Sequence, residues 1–187
     1  MQAAGGEALS PQPPAAGRRQ LWLLLAIAAF VLAADAISKA VVTAHIAPDT
    51  TVHLLGNVLT LTHVRNGGAA FNLGGTSYTI VFTAIAVGVV IYILRTARAL
   101  HSGGWAVALG LLLGGAAGNL SDRIFRAPGL FRGDVVDWIG VVPRYWPIFN
   151  LADSAITIGG VIIAILALRG VKFDGSKLNR ASEQASE

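Results

Sequence analysis

The chain has no cysteine and little charge. Of its 187 residues, none is Cys, one is Met, and only 13% are Asp, Glu, Lys or Arg, about half the usual share for a soluble domain. The missing cysteines exclude a disulfide framework, a thiol nucleophile, a thiolate metal site and lipidation of the chain on sulfur. Any chemistry rests on oxygen and nitrogen groups. What is present is apolar: 54% of residues are hydrophobic and the mean hydropathy is +0.63. The net charge of +4 comes from basic residues scattered between apolar runs and tails, a membrane pattern and not a nucleic-acid footprint. No nucleic-acid partner is expected.

Four runs are long enough to cross about 30 Å of hydrocarbon as helices: about 21–44, 78–97, 103–120 and 152–168. The first follows Arg18-Arg19 and ends near small residues, as a cleaved leader would. It continues through Ile37, Val41 and Val42, however, and three more spans follow, so it reads as a helix. Residues 1–19 and 170–187 read as disordered cytoplasmic tails around one membrane domain, 20–169. Between the first two spans, Val52–Val64 is rich in Val, Leu and Thr around Gly56-Asn57, which predicts short strands. Residues 124–149 contain Pro128-Gly129, Pro143 and Pro147 among aromatics and read as irregular, partly interfacial structure. The expected fold is a membrane all-α bundle of four transmembrane helices with a small β-containing extracytoplasmic subdomain.

Arg18, Arg19, Arg95, Arg98, Arg169, Lys172, Lys177 and Arg180 mark one side of the bilayer, which predicts cytoplasmic termini. Arg123, Arg126, Arg132 and Arg144 lie on the other side, but with Asp122, Asp134 and Asp137 among them they read as site chemistry and not as topology signals. Loops 45–77 and 121–151 then share the outer face. Of the ten acids, Glu7, Asp174, Glu183 and Glu187 fall in tails and Asp49 in a turn. That leaves Asp35, Asp122, Asp134, Asp137 and Asp153, all near one boundary. Acids at such positions are costly and tend to be paired or functional.

Asp35 and Lys39, four apart, form a same-face pair read as structural support. Asn119, Asp122 and Arg123 share a face where the third span ends, which suits a snorkelling helix end or an Arg fork presented to a carbonyl. Asp153, in the first turn of the fourth span, fits a cap as well as a catalytic acid. Asp137, between Val135-Val136 and Trp138-Ile139, would be poorly solvated, which raises the pKa of a carboxyl without a partner. Two carboxylates in a partly dry site can divide base and acid roles, as aspartic peptidases do. His45, His53, His63 and His101 lack metal-ligand spacing, so neither metal nor other cofactor is expected. Asn66, in the run Val64-Arg65-Asn66-Gly67-Gly68-Ala69-Ala70-Phe71, could hold a substrate amide, or the run is a plain Gly-rich turn.

Five ordered pieces together resemble the lipoprotein signal peptidase (type II signal peptidase) family of bacteria. They are Asp35-Ala36-Ile37-Ser38-Lys39; Asn66 with Gly68-Ala69-Ala70-Phe71; Gly118-Asn119-Leu120-Ser121-Asp122-Arg123; Val135-Val136-Asp137; and Phe149-Asn150-Leu151-Ala152-Asp153-Ser154. The resemblance implies a membrane aspartic endopeptidase of the inner membrane. It would act as a monomer near the outer face, with membrane lipids as partners, and cut prolipoprotein signal peptides before a diacylglyceryl-modified cysteine. It makes Asp137 and Asp153 the catalytic pair. Asn66, Gly68, Asn119, Arg123, Asn150 and Ala152 would line or brace the site, and Asp35, Lys39 and Asp122 would support it. The stretch 124–134 is longer than the common family spacing and sets an insertion beside the site. The rival classes are a proton-coupled small transporter or channel, which calls for midplane acids and helical repeats, and a non-enzymatic scaffold.

Overall fold

The computed structural model describes residues 16–67 and 76–176. Within them four helices are long and apolar enough to span a membrane: α1 (Ala16–His45), α2 (Thr76–Thr96), α3 (Gly103–Phe125) and α4 (Leu151–Leu168). A short 3-10 turn, Ala97–Ala99, follows α2. Helix α1 begins at Ala16, within the segment expected as a tail, because an uncharged apolar run continues directly from Gln20.

Helix α3 is the axis of the bundle and packs against α1, α2 and α4. Its small residues make this possible. A Cβ on Gly114 would lie 2.7 Å from the Ala28 carbonyl oxygen, so the backbones of α1 and α3 meet where a side chain would separate them. The apolar core gathers Leu24, Ala28, Ile93, Leu100, Trp105, Leu109 and Leu113 toward the end of the bundle where α2 meets α3. There residues 170–176, expected as tail, fold back instead. The Phe173 carbonyl accepts from the amides of His101 and Ser102 at 2.9 and 3.0 Å. Trp105 Nε1 donates to the Val171 carbonyl at 2.9 Å, and its ring packs on Phe173.

At the other end lies a three-stranded antiparallel sheet in the order β1 (Thr51–Leu55), β2 (Leu59–Asn66) and β3 (Val135–Val141). The hairpin β1–β2 turns at Gly56, whose φ of 53° suits glycine. Strand β3 corrects the expectation of irregular structure over 124–149. Val135, Val136, Ile139 and Val141 are β-branched and pair with β2, and Ile139 also bridges to Phe149. Leu61 pairs with Ile139 and Val64 with Asp137, so Thr62 and His63 together face Trp138 in a β-bulge. Side chains alternate along a strand. The bulge therefore puts Asn66 on the face of Asp137; were Thr62 and His63 to follow Leu61 in unbroken register, Asn66 would point to the opposite face.

Candidate active site

Each carboxyl group is set by its element. Asp137 stands in β3, buried to 3% exposure. Its two oxygens accept from Asn66 Nδ2 at 2.9 Å and Asn150 Nδ2 at 2.7 Å. Asp153 stands in the first turn of α4, and Asn150 caps that helix. Asn150 Oδ1 accepts from the Asp153 amide at 2.9 Å while the Asn150 amide donates to Asp153 Oδ2 at 3.2 Å, a reciprocal capping box. The cap uses only one Asp153 oxygen. Oδ1 accepts from Asn119 Nδ2 at 2.7 Å. Asn150 thus touches both acids, one through its side chain and the other through its backbone.

Behind this cluster runs a chain of charges. Lys39, fully buried, lies 2.7 Å from Asp35 and 2.8 Å from Asp122, and Arg126 pairs with the second Asp122 oxygen. Asp35 also receives the Ala152 amide at 3.0 Å, and Asp122 the Val136 amide at 3.2 Å. These bonds tie α1 to α4 and α3 to β3. Asp122 is fully engaged in them.

The two groups meet at one atom. Lys39 Nζ donates to Asn119 Oδ1 at 3.1 Å, and Asn150 Nδ2 donates to the same oxygen at 3.2 Å. An ammonium only donates, so it fixes which end of the Asn119 amide is oxygen and turns the NH2 toward Asp153. The Asn119 oxygen in turn turns the Asn150 NH2 toward Asp137. One cation, without touching either acid, orients the Asn119 amide on Asp153 and, through it, the Asn150 amide on Asp137.

Arg123 donates through one terminal nitrogen to the Asn119 carbonyl at 3.3 Å. Its Nε is buried and has no hydrogen-bond partner among the described residues. The guanidinium lies in the field of Asp153, Asp137 and Asp122. Burial pushes the Asp137 carboxyl up to about 6; the Asn66 amide pulls it down, the Asp153 charge raises it and the Asn150 amide lowers it. Among the described residues no three His, Asp or Glu side chains gather in a metal-holding group.

The structure thus brings Asn66, Asn119, Arg123, Asp137, Asn150 and Asp153 together, with Asp35, Lys39, Asp122 and Ala152 bracing them from behind. Gly68 lies outside the described residues. Sequence reasoning did not find Arg126 as a partner of Asp122, although their i, i+4 spacing on α3 is a signal for it.

Comparison with known proteins shows the family. Residues 27–169 match the family model of signal peptidase (SPase) II. A lipoprotein signal peptidase of Streptomyces coelicolor is 50% identical over 160 residues, covering 86% of this chain and 77% of the relative. One from Mycobacterium avium is 43% identical over 183 residues, covering 98% of this chain and 97% of the relative. A solved bacterial membrane enzyme superposes with a TM-score of 0.69 at 28% identity, over 84% of this chain and 94% of that one. The chain belongs to the signal peptidase II family: it is a multi-pass bacterial membrane protein and a peptidase.

Proposed function

We propose that this peptidase is of the aspartic type, that Asp137 and Asp153 are its catalytic pair, and that it removes signal peptides from diacylglyceryl-modified prolipoproteins by cutting before the lipidated cysteine. The observation that carries the reading is the contact of Asn150 with both carboxyl groups, through Nδ2 to Asp137 and through its amide to Asp153. Two acids 16 positions apart in sequence, on a strand and a helix, are thereby held by one residue and carry no cation of their own in that contact.

The chemistry follows from the environment. One carboxylate takes a proton from water, the water attacks the scissile carbonyl, and the partner acid protonates the leaving amine. Asp137, with its pKa near 6, is suited to exchange a proton near neutrality. Coupled acids titrate as a pair, so the pH profile belongs to the dyad. The Arg123 Nε, unpartnered among the described residues, suits a substrate carbonyl, and Asn66 would steady the peptide beside Asp137. A lipid-modified cysteine stays in the bilayer, and a site built at one end of a helical bundle meets it there. With four spans both termini share one side; the basic residues around them support a cytoplasmic side for the termini and an outer-face position for the site.

The test uses the purified full-length enzyme and two prolipoproteins that differ only in the diacylglyceryl group on the cysteine. Cleavage of the modified substrate immediately before that cysteine, insensitive to chelators, is the expected result. Equal cleavage of both substrates, or of neither, overturns the proposal.

A further inference from the structure

The segment between α3 and β3 makes contacts that neither the helix bundle nor the carboxyl pair requires. Helix α3 crosses the membrane and ends at Phe125. The chain therefore enters this loop at the bilayer boundary. From there it exposes Phe125 (80%), Leu130 (65%) and Phe131 (48%) in sequence with Arg126 and Arg132. Apolar side chains beside arginines at the end of a spanning helix have the chemistry of a lipid interface, with acyl chains for the rings and phosphate for the guanidinium. Leaving three large apolar groups in water instead would be unfavourable.

The loop is also held rigidly. The Gly133 amide donates to the Arg123 carbonyl at 2.9 Å and the Asp134 amide to the Ala127 carbonyl at 2.9 Å. A Cβ on Gly133 would collide with the Asp122 and Arg126 carbonyl oxygens, so only glycine lets the chain pass this close to the end of α3. Phe131 has a φ of 60°, a backbone conformation in which a bulky residue persists only when its surroundings hold it. On the other side, Asp134 Oδ1 lies 3.0 Å from where a Cβ of Gly67 would stand, next to Asn66. The loop is therefore bonded to the last turn of α3, which carries Asp122 and Arg123, and lies close to Gly67 at the end of β2, next to Asn66.

We propose that residues 125–132 form a docking surface for the phospholipid leaflet at the active-site end. Phe125, Leu130 and Phe131 lie among acyl chains and Arg132 on a headgroup phosphate, and the rigid seat of the loop on α3 and β2 fixes the depth of the carboxyl pair in the interface. The partner is bulk phospholipid, not the lipid on a substrate. The proposal goes beyond the peptidase reading and does not depend on it.

The cysteine-free chain makes the test direct. Single variants Leu130→Cys and Phe131→Cys of the full-length protein carry a nitroxide label in phospholipid vesicles without substrate, with Phe30→Cys on the exposed face of α1 and Ser176→Cys as lipid and water references. The expected result is that labels at 130 and 131 collide several-fold more with oxygen than with a water-soluble nickel chelate, as the label at 30 does. Adding Arg132→Gln moves the label at 130 toward water. Accessibility at 130 and 131 equal to that at 176 overturns the docking surface, and an Arg132→Gln variant with unchanged depth overturns the phosphate contact. If lipid-like accessibility appeared only once lipidated substrate was added, the assignment to bulk phospholipid would be overturned. Retained helical circular dichroism in each labelled variant excludes misfolding as the cause.

Discussion

Asp122 and Asp137 are both buried acids at the same end of the bundle, and they are kept in opposite ways. Asp122 is pinned by two cations, Lys39 and Arg126. Asp137 is held by two amides, from Asn66 and Asn150. A carboxyl group between an ammonium and a guanidinium ties together the elements that carry them and braces the helices around it. A carboxylate held by neutral donors in a dry setting is solvated enough to survive but poised to change its charge. On the proposed function the same residue type serves as a rivet in one place and a proton-exchanging group in the other, and the neighbours decide which.

The largest expected effect separates the two groups by chemistry. Asp137→Asn and Asp153→Asn each lower the turnover of diacylglyceryl-prolipoprotein by at least 10²–10⁴-fold, roughly the contribution of a positioned acid or base, while the protein still accumulates in the membrane. Substantial cleavage by either variant would break the contrast between Asp122 and Asp137. On the other side, Lys39→Met leaves Asp35 and Asp122 without their shared cation. Removing one partner from a buried ion network costs about 3–5 kcal/mol, read as a fall in thermal midpoint in detergent. A Lys39→Met protein as stable as the parent would mean that the charge chain is not the brace it resembles.

How much of this was legible in the sequence follows the range of each interaction. The four spans were readable because a bilayer dictates their length, and the hairpin because Gly56-Asn57 marks its turn between two apolar runs. Strand β3 was hidden. Its β-branched residues sit between Pro128-Gly129 and Pro143, and its partner in β2 lies about 70 positions earlier, where no local pattern can announce it. The bulge at Thr62-His63 that aims Asn66 was equally invisible. For the site, the residue types and the resemblance named the members, and Asp35 with Lys39 was readable from helix spacing. Their wiring was not. That Lys39 reaches Asn119, 80 positions away, and so orients both amides is a consequence of α1 packing on α3. Likewise the return of Val171 and Phe173 onto Trp105 depends on where the bundle places an indole N–H.

A smaller effect follows from linkage at Asp137. Its folded pKa of about 6 lies above the ordinary value of 3.8, so the folded state prefers the protonated form. The stabilisation from that preference is complete below about pH 4 and is lost as pH rises through 6. The displacement of about two units corresponds to about 3 kcal/mol. Unfolding measured from pH 4 to 7 should therefore show the parent losing stability relative to Asp137→Asn, whose side chain cannot ionise. Parallel curves for the two proteins would place Asp137 among the charged braces and erase its contrast with Asp122.

The finest test addresses the amides themselves. Asn66 donates to one Asp137 oxygen and so favours its charged form; Asn66→Ala removes that donor and leaves the desolvation in place. The Asp137 pKa then rises further, and the limb of the kcat/KM profile that it governs moves to higher pH, whichever of base or acid it serves. A hydrogen bond to a charged group is worth about 1.5–3 kcal/mol, so the shift should be on the order of one to two pH units. Asn66→Asp is the sharper partner experiment. It replaces a neutral donor by a third acid on the same face, and the limb should move further still. If Asn66→Ala only lowered kcat at every pH, with the limbs unmoved, Asn66 would be positioning the peptide and not setting the proton affinity of Asp137. The tuning would then rest on burial, on the Asp153 charge and on Asn150.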